Sequence, residues 1–410
     1  MSASDSHRAI EAVWRIEAPR LIAGLTRIVR DVGLAEELAQ DALVAALQQW
    51  PTDGVPRNAG AWLMATAKHR AIDRVRREAL AARTLEALGG EVAVQPPEPD
   101  QDLGDDLLRL MFISCHPVLS PEARAALTLR LLGGLSTDEI ARAFLVPEPT
   151  IAQRIVRAKR TLSERGVPFE VPSGPERAAR VGSVLEVLYL IFNEGYAATS
   201  GEDWVRPGLC EDALRLGRVL AELAPQEPEV HGLVALMELQ SSRLRARVGP
   251  GGVPVLLLDQ DRARWDQLLI RRGLGALDRA VRLGQPWGPY VLQAAIAACH
   301  ARARSADQTD WPRIAALYAG LLQVAPGPVV ALNHAVAIGM AYGPAAALPL
   351  VDALAREPSL QGYHLLPSVR GDLLQKLGRH AEAKQAFEAA AGLTRNAAER
   401  ALLLRRAALL

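Results

Sequence analysis

Residues 133–160 read GGLSTDEIARAFLVPEPTIAQRIVRAKR, and a stretch written this way has few conformations open to it. Ser136 stands where an N-cap belongs, and Glu139 three positions on completes a capping box. The pair predicts a helix that starts there and runs through Ile140, Ala141 and Phe144. Leu145, Val146 and Pro147 then form a turn. Pro149 is tolerated only in the first turn of a helix, where its missing N–H costs nothing, so a second helix opens between Glu148 and Thr150. In that helix Ile151, Ile155 and Ala158 repeat at core spacing, and Thr150, Gln153, Arg154, Arg157 and Lys159 point elsewhere. Two short helices with a tight turn and a cationic second helix make the plan of a helix-turn-helix DNA reader. The outward set supplies donors for guanine edges and cations for phosphates. A helical core with a basic solvated face gives the same pattern, so context has to decide.

The whole-chain numbers are neutral on this point. With 410 residues the chain has room for two or three domains, and its 47 Lys plus Arg face 46 Asp plus Glu. Any nucleic-acid surface must therefore arise from local segregation of charge. Half of the residues are hydrophobic but only 4% are aromatic, a balance that favours packed helices over sheet. No run of about eighteen uncharged apolar residues occurs, and MSASDSHRAIEAVWR lacks an apolar signal core. The expected location is the cytoplasm, with no membrane partner. Cys115, Cys210 and Cys299 are scattered and odd in number, which argues against a disulfide framework and a zinc site. The neighbours Cys115 and His116 point to different faces of a helix and have no third ligand, so they read as packing, and no metal or cofactor is expected.

Punctuation divides the chain. A first part covers 6–83, and a Gly-, Pro- and acid-rich stretch makes 84–106 a flexible linker. The helix-turn-helix lies in a second part, 107–165; a second break covers 166–176, and helical sequence fills 177–410. In the first part LAEELAQDALVAALQQW places Leu34, Leu38, Ala42 and Ala45 inward and Glu36, Glu37, Gln40 and Asp41 outward. That acidic face reads as a partner-docking surface or as an ordinary solvated face near a helix N-terminus. AWLMATAKHRAIDRVRRE has the opposite character: Lys68, Arg70, Arg74, Arg76 and Arg77 form a cationic stripe relieved by Asp73. Such a stripe binds phosphates, and polar groups of a nearby loop hold an extruded base. Trp62 falls in register with the apolar positions Leu63, Ala67, Ala71, Ile72 and Val75.

Together these motifs resemble bacterial sigma factors of the extracytoplasmic-function (ECF) group of the sigma-70 family. Ala35, Glu36, Glu37, Leu38, Gln40 and Asp41 match one motif of region 2, and Ala61, Trp62, Leu63, Ala67, Ala71, Ile72, Asp73, Arg74, Arg76 and Arg77 match another. Gly134, Leu135, Ser136, Glu139, Ile140, Ala141, Val146, Pro147, Glu148, Thr150, Arg154, Arg157, Ala158 and Leu162 match region 4. His69 stands where the group has Asn, and Pro149 where it has Gly, departures that bear on promoter preference. The resemblance implies a non-enzymatic initiation factor. Glu37, Gln40 and Asp41 would dock on the clamp coiled coil of the beta-prime subunit of core RNA polymerase. Asn58, Trp62, His69, Arg70, Arg74, Arg76 and Arg77 would lie at the minus-ten element of promoter DNA, and Thr150, Gln153, Arg154, Arg157 and Lys159 at the minus-thirty-five element.

Beyond about Pro175 the sequence has its own pattern. In GDLLQKLGRHAEAKQAFEAAAGL, Gly371, Gly378, Ala383, Phe387 and Ala390 fall at the spacing of small and large residues in a tetratricopeptide (TPR) helix pair. The expected fold is all-α: two small sigma domains followed by a TPR-like α-solenoid. YLIFNEGYAATSG, LLLDQDRARWDQ and LYAGLLQVAPGPVVALNHAVA make this part resemble the ECF subgroup with a C-terminal TPR-like extension, which implies that it contributes to or controls sigma activity; an intramolecular contact with the sigma regions is a separate expectation. Asn193 with Glu194, or Asp259, Asp261 and Asp266 beside Arg262 and Arg264, would suit a carboxylate site, but no phosphate loop or nucleophile elbow accompanies them, so they read as caps and ion pairs. A stand-alone regulator with a helical sensor domain accounts for the second part but leaves the first without a task, and a peptide-binding scaffold accounts only for the third.

Overall fold

The computed structural model describes residues 3–86, 103–197, 204–284 and 286–410. Two compact units result, Met1–Leu188 and Tyr189–Leu410, and the described residues are helical throughout apart from turns and one isolated bridge between Val248 and Pro254.

In the first unit α1 (Ala3–Val29), α2 (Val32–Asp53) and α3 (Ala59–Glu86) form a three-helix group. The Asp31 carboxylate caps α2 by accepting from the Leu34 amide at 2.8 Å. Gly54 ends the helix at φ 85°, a conformation that favours glycine. Leu21, Ile22, Leu25, Trp50 and Leu63 fill the space between these helices. Next come α4 (Leu103–Ser114), α5 (Pro121–Leu131), α6 (Thr137–Phe144) and α7 (Glu148–Glu164). The capping box is present: the Ser136 hydroxyl accepts from the Glu139 amide at 3.1 Å, and Glu139 accepts from the Ser136 amide at 2.8 Å. Leu145 takes up the turn in the left-handed region at φ 51°, and Pro149 lies in the first turn of α7. Ile151, Ile155 and Ala158 are buried.

Two boundaries differ from the sequence expectation. Residues 87–102 of the expected 84–106 linker lie outside the described residues, but 84–86 belong to α3 and α4 already begins at Leu103. Asp106, which the composition assigned to the tether, is fully buried in the first turn of α4, bonded by Arg109 at 2.7 Å and paired with Arg27 at 3.2 Å. The other boundary lies inside α8 (Gly174–Tyr196), whose first part belongs to the first unit and not to the C-terminal one. The reason is a buried arginine. Arg124 of α5 donates to the Ser183 hydroxyl at 2.8 Å and to Glu186 at 2.9 Å, and Ser183 in turn donates to the Cys115 carbonyl. Cys115 is a packing residue, its thiol beside the Thr128 hydroxyl at 3.3 Å, and His116 accepts from the Val118 amide.

The second unit continues with α9 (Pro207–Leu223), α10 (Pro228–Ser241), α11 (Gln267–Arg282), α12 (Pro289–Arg302), α13 (Trp311–Val324), α14 (Pro328–Tyr342), α15 (Pro344–Leu354), α16 (Leu365–Lys376), α17 (His380–Leu393) and α18 (Ala397–Ala408). Proline in the first turn starts α9, α10, α12, α13, α14 and α15, where its missing N–H costs nothing. Neighbours along this chain pack as antiparallel hairpins. In the α16–α17 pair, a Cβ added to Gly371 would come within 2.8 Å of the fully buried Phe387 ring. The small residue thus admits the aromatic one, as the TPR spacing predicts. Cys210 and Cys299 are buried within this unit.

Candidate nucleic-acid interface

Four elements of the first unit carry the candidate residues, and charge sorts them. On α2 the expected outward face divides in two. Glu37 and Asp41 are exposed, whereas Glu36 is buried, against expectation. Its carboxylate accepts from Arg130 of α5 at 2.6 Å, meets Lys159 of α7, and accepts from Gln40 at 2.7 Å. Burial alone would raise the Glu36 carboxyl, but Lys159 and Arg130 more than reverse this and hold it below the usual carboxylate range. Gln40 is therefore half-buried and occupied in holding Glu36.

On α3, Lys68, His69, Arg70 and Arg74 are exposed, and Arg70 pairs with Asp41 at 3.2 Å. A recess of about 330 Å³ lies between the two helices, bordered by Glu37 and Asp41 on one side and Arg70 and Arg74 on the other. Backbone and helix are described at Arg76 and Arg77, but their side chains lie outside the described residues. Trp62 is half-buried with its ring edge-on to Trp50 at 5.3 Å, as its apolar register predicts. The Asn58 side chain caps α3 by accepting from the Ala61 amide at 3.0 Å. Asn58 also borders a cavity of about 350 Å³ between α1 and α3, together with Glu17, Arg20 and Lys68. Arg20 was not legible as a site residue, because only the packing of α1 brings it to α3. Gly60 keeps the cavity's wall thin, since a Cβ there would meet the Glu17 carboxylate at 2.5 Å.

On α7 Gln153 and Arg157 are exposed and Thr150 and Arg154 half-buried. Lys159 differs from the outward placement expected of it, because Glu36 draws it toward α2. A further bridge joins Arg15 of α1 to the capping residue Glu139 of α6 at 2.6 Å. The expected site is thus two surfaces, the cationic row of α3 and the outer face of α7, in a unit closed by ion pairs. The Asp and Arg residues of the C-terminal motifs behave as caps. Asp266 accepts from the Leu268 and Leu269 amides to start α11, Asp261 accepts from the Ala263 amide, and Glu194 pairs with Arg206 at 2.5 Å. Among the described residues no group of three His, Cys, Asp or Glu side chains is placed to hold a metal ion, and no helix is long and apolar enough to cross a membrane.

The comparisons with known proteins fall on the same segments. Residues 14–80 match the Sigma-70 region 2 model and residues 109–162 the Sigma-70, region 4 model. The ECF RNA polymerase sigma factor SigK of Mycolicibacterium vanbaalenii is 32% identical over 155 residues, covering 36% of this chain and 76% of its own. The chain belongs to the ECF RNA polymerase sigma factors. A SigI of Mycobacterium tuberculosis, described as a probable ECF sigma factor, is 24% identical over 176 residues, 42% of this sigma factor and 60% of that protein. The C-terminal half is also shared. A Rhizobium meliloti protein described as uncharacterized, R00370, is 43% identical over 401 residues, 94% of this chain and 92% of its own. Residues 180–281 match a family of unknown function, DUF6596. Yeast Tom70 aligns over 99% of this chain and 84% of its own, at 13% identity and a TM-score of 0.31. As a sigma factor, the protein binds core RNA polymerase and directs it to promoters.

Proposed function

We propose that this sigma factor docks on the beta-prime clamp coiled coil through Glu37 and Asp41, with Gln40 at the edge of the contact. The support is their acidic exposure on α2 beside the recess lined by Arg70 and Arg74. Asn58, Trp62, His69, Arg70, Arg74, Arg76 and Arg77 read the minus-ten element. The observation that carries this reading is the cavity of about 350 Å³ bordered by Asn58, Arg20 and Lys68, next to an exposed cationic row. A cavity of that size takes one nucleobase, and phosphates on the row offset part of the cost of unstacking it. Thr150, Gln153, Arg154 and Arg157 read the minus-thirty-five element from α7.

Lys159 joins them only after a change. The two elements lie about 80 Å apart at ~3.4 Å per base pair, whereas Glu36 holds α7 and α5 against α2. Engagement of both elements therefore breaks the Glu36 cluster and hands Lys159 from a carboxylate to a phosphate. The segment between α3 and α4 then links two domains whose affinities combine through effective concentration. The C-terminal unit modulates this activity in cis.

Transcription from a promoter library by purified core polymerase tests the scheme, with full-length protein and with a chain ending at Leu188, which keeps α8 over Arg124. Promoter-specific transcripts are expected from the full chain and altered output from the shorter one. Glu37→Lys with Asp41→Lys is expected to reduce core binding without loss of helicity, and undiminished binding would overturn the docking face. Arg154→Ala is expected to lower selectivity at the upstream element by about 1 to 3 kcal/mol. An equal loss on all sequences would make it a phosphate contact.

A further inference from the structure

Three segments singled out in the sequence have no task in promoter recognition: those beginning at Tyr189, Leu256 and Leu317. They meet at one cavity of about 220 Å³ within the second unit. Tyr189, Phe192 and Tyr196 of α8 and Tyr318 of α13 give it an aromatic lining, and Arg243 and His300 bring nitrogen groups to it.

The charge at this site is one-sided. Among the described residues Arg243 is its one charged lining residue, and the hydrogen-bond acceptors of that guanidinium are neutral, the Tyr196 hydroxyl at 2.5 Å and the Gln240 side chain. Glu194, in the same turn of α8 as the lining residues Asn193 and Tyr196, pairs with Arg206. Two more guanidinium groups stand behind the lining. Arg247 lies over the Tyr196 ring at 3.8 Å. Arg262 lies over Trp265 at 4.8 Å and donates to the His300 and Ala303 carbonyls at the end of α12. His300 registers the resulting environment: burial, then Arg243 and Arg262, push its pKa down to about 3, so the ring is neutral. Its Nδ1 is buried and has no hydrogen-bond partner. Burial pushes the Tyr318 hydroxyl up to about 12, which keeps its proton in place.

Aromatic walls around an arginine that has no carboxylate partner among the described residues define what fits. We propose that this cavity binds a small monocarboxylate bearing a single planar ring, with its carboxylate on Arg243 and its ring among Tyr189, Phe192, Tyr196 and Tyr318. The volume sets the scale. An apolar cavity of ~150 Å³ holds benzene, and the additional space here admits a carboxylate and a small substituent. A guanidinium accommodates a carboxylate through parallel N–H donors, and desolvation strengthens the contact. A peptide would need a longer groove than a cavity of about 220 Å³ offers.

Calorimetric titration of the full-length protein with benzoate and 4-hydroxybenzoate, against benzamide as the neutral control, tests the proposal. The readout is binding alone and stands whether or not the promoter contacts are as assigned. Saturable one-to-one binding of at least one carboxylate is expected, weakened roughly tenfold or more, about 1.4 kcal/mol, in benzamide and in Arg243→Gln. Ala297→Leu, which places added methylenes in the cavity from α12, is expected to block binding with the helical circular dichroism unchanged, and it serves where Arg243→Gln fails to fold. No saturation by either carboxylate, equal binding of benzamide, or binding undiminished in folded Arg243→Gln or Ala297→Leu protein would overturn the site.

Discussion

Arginines are drawn partly or wholly out of water both in the first unit and around the cavity of the second, and the two places settle the charge in different ways. In the first unit Arg130 meets Glu36, Arg27 and Arg109 meet Asp106, and Arg124 meets Glu186, each a guanidinium on a carboxylate from another part of the chain or another turn. Around the cavity of the second unit Arg243, Arg247 and Arg262 lie on Tyr196, Trp204 and Trp265 and donate to neutral oxygens. Carboxylate partners can be exchanged for phosphates, and salt and acid weaken them. Ring faces and carbonyls cannot be exchanged in this way, and they leave net positive charge for an incoming anion. A closure that must open for DNA suits the first arrangement, and a preformed site suits the second.

Glu36→Gln should break the comparison most directly. It removes the one negative charge that gathers Arg130 and Lys159 while keeping the side-chain volume, and the expected loss is about 3 kcal/mol in urea unfolding at low salt. Acid should do the same to the natural protein. The Glu36 carboxyl is lowered in the folded state, so its contribution is complete above the unfolded value and is lost as pH falls through the folded one. The difference between the natural protein and Glu36→Gln should therefore shrink below roughly pH 4. A constant difference down to pH 2 would mean that the side chain acts by shape alone.

Ser183→Val comes next. It deprives buried Arg124 of one of its two acceptors and leaves the Cys115 carbonyl without its donor, for an expected loss of roughly 2 kcal/mol. A null result would remove α8 from the first unit's core. Arg247→Met tests the other half: loss of its ring contacts and of its bond to the Tyr196 carbonyl should cost about 1 to 2 kcal/mol. Raising salt to half molar should reduce the Glu36→Gln effect and leave the Arg247→Met effect in place. Equal salt dependence would erase the distinction between the two regions.

The sequence carried the local part of this architecture well. The capping box at Ser136, the turn before Pro149, the cationic row of α3 and the Gly371–Phe387 pairing all depend on residues within one or two helical turns, or on a single hairpin. Glu36 could not be read the same way. It stands at the margin of the apolar stripe of α2, and its partner Arg130 is 94 positions away. Asp106 was misassigned for the same reason: an acid in a Gly- and Pro-rich stretch looks solvated until Arg27 packs over it. The cavity in the second unit draws its lining from α8, α10, α12 and α13 and from Arg243 and Leu257 between α10 and α11, and no contributor alone marks a site. Motif matching flagged those segments without giving them a common purpose.

The three cysteines share one kind of environment. Cys115, Cys210 and Cys299 are buried, and burial pushes the first two thiols up to about 12 and raises the third. At neutral pH the Cys115 and Cys210 thiols keep their protons, and the thiolate is the form that peroxide and disulfide reagents attack. Oxidants that need a thiolate therefore find these three thiols protonated and buried in the folded chain.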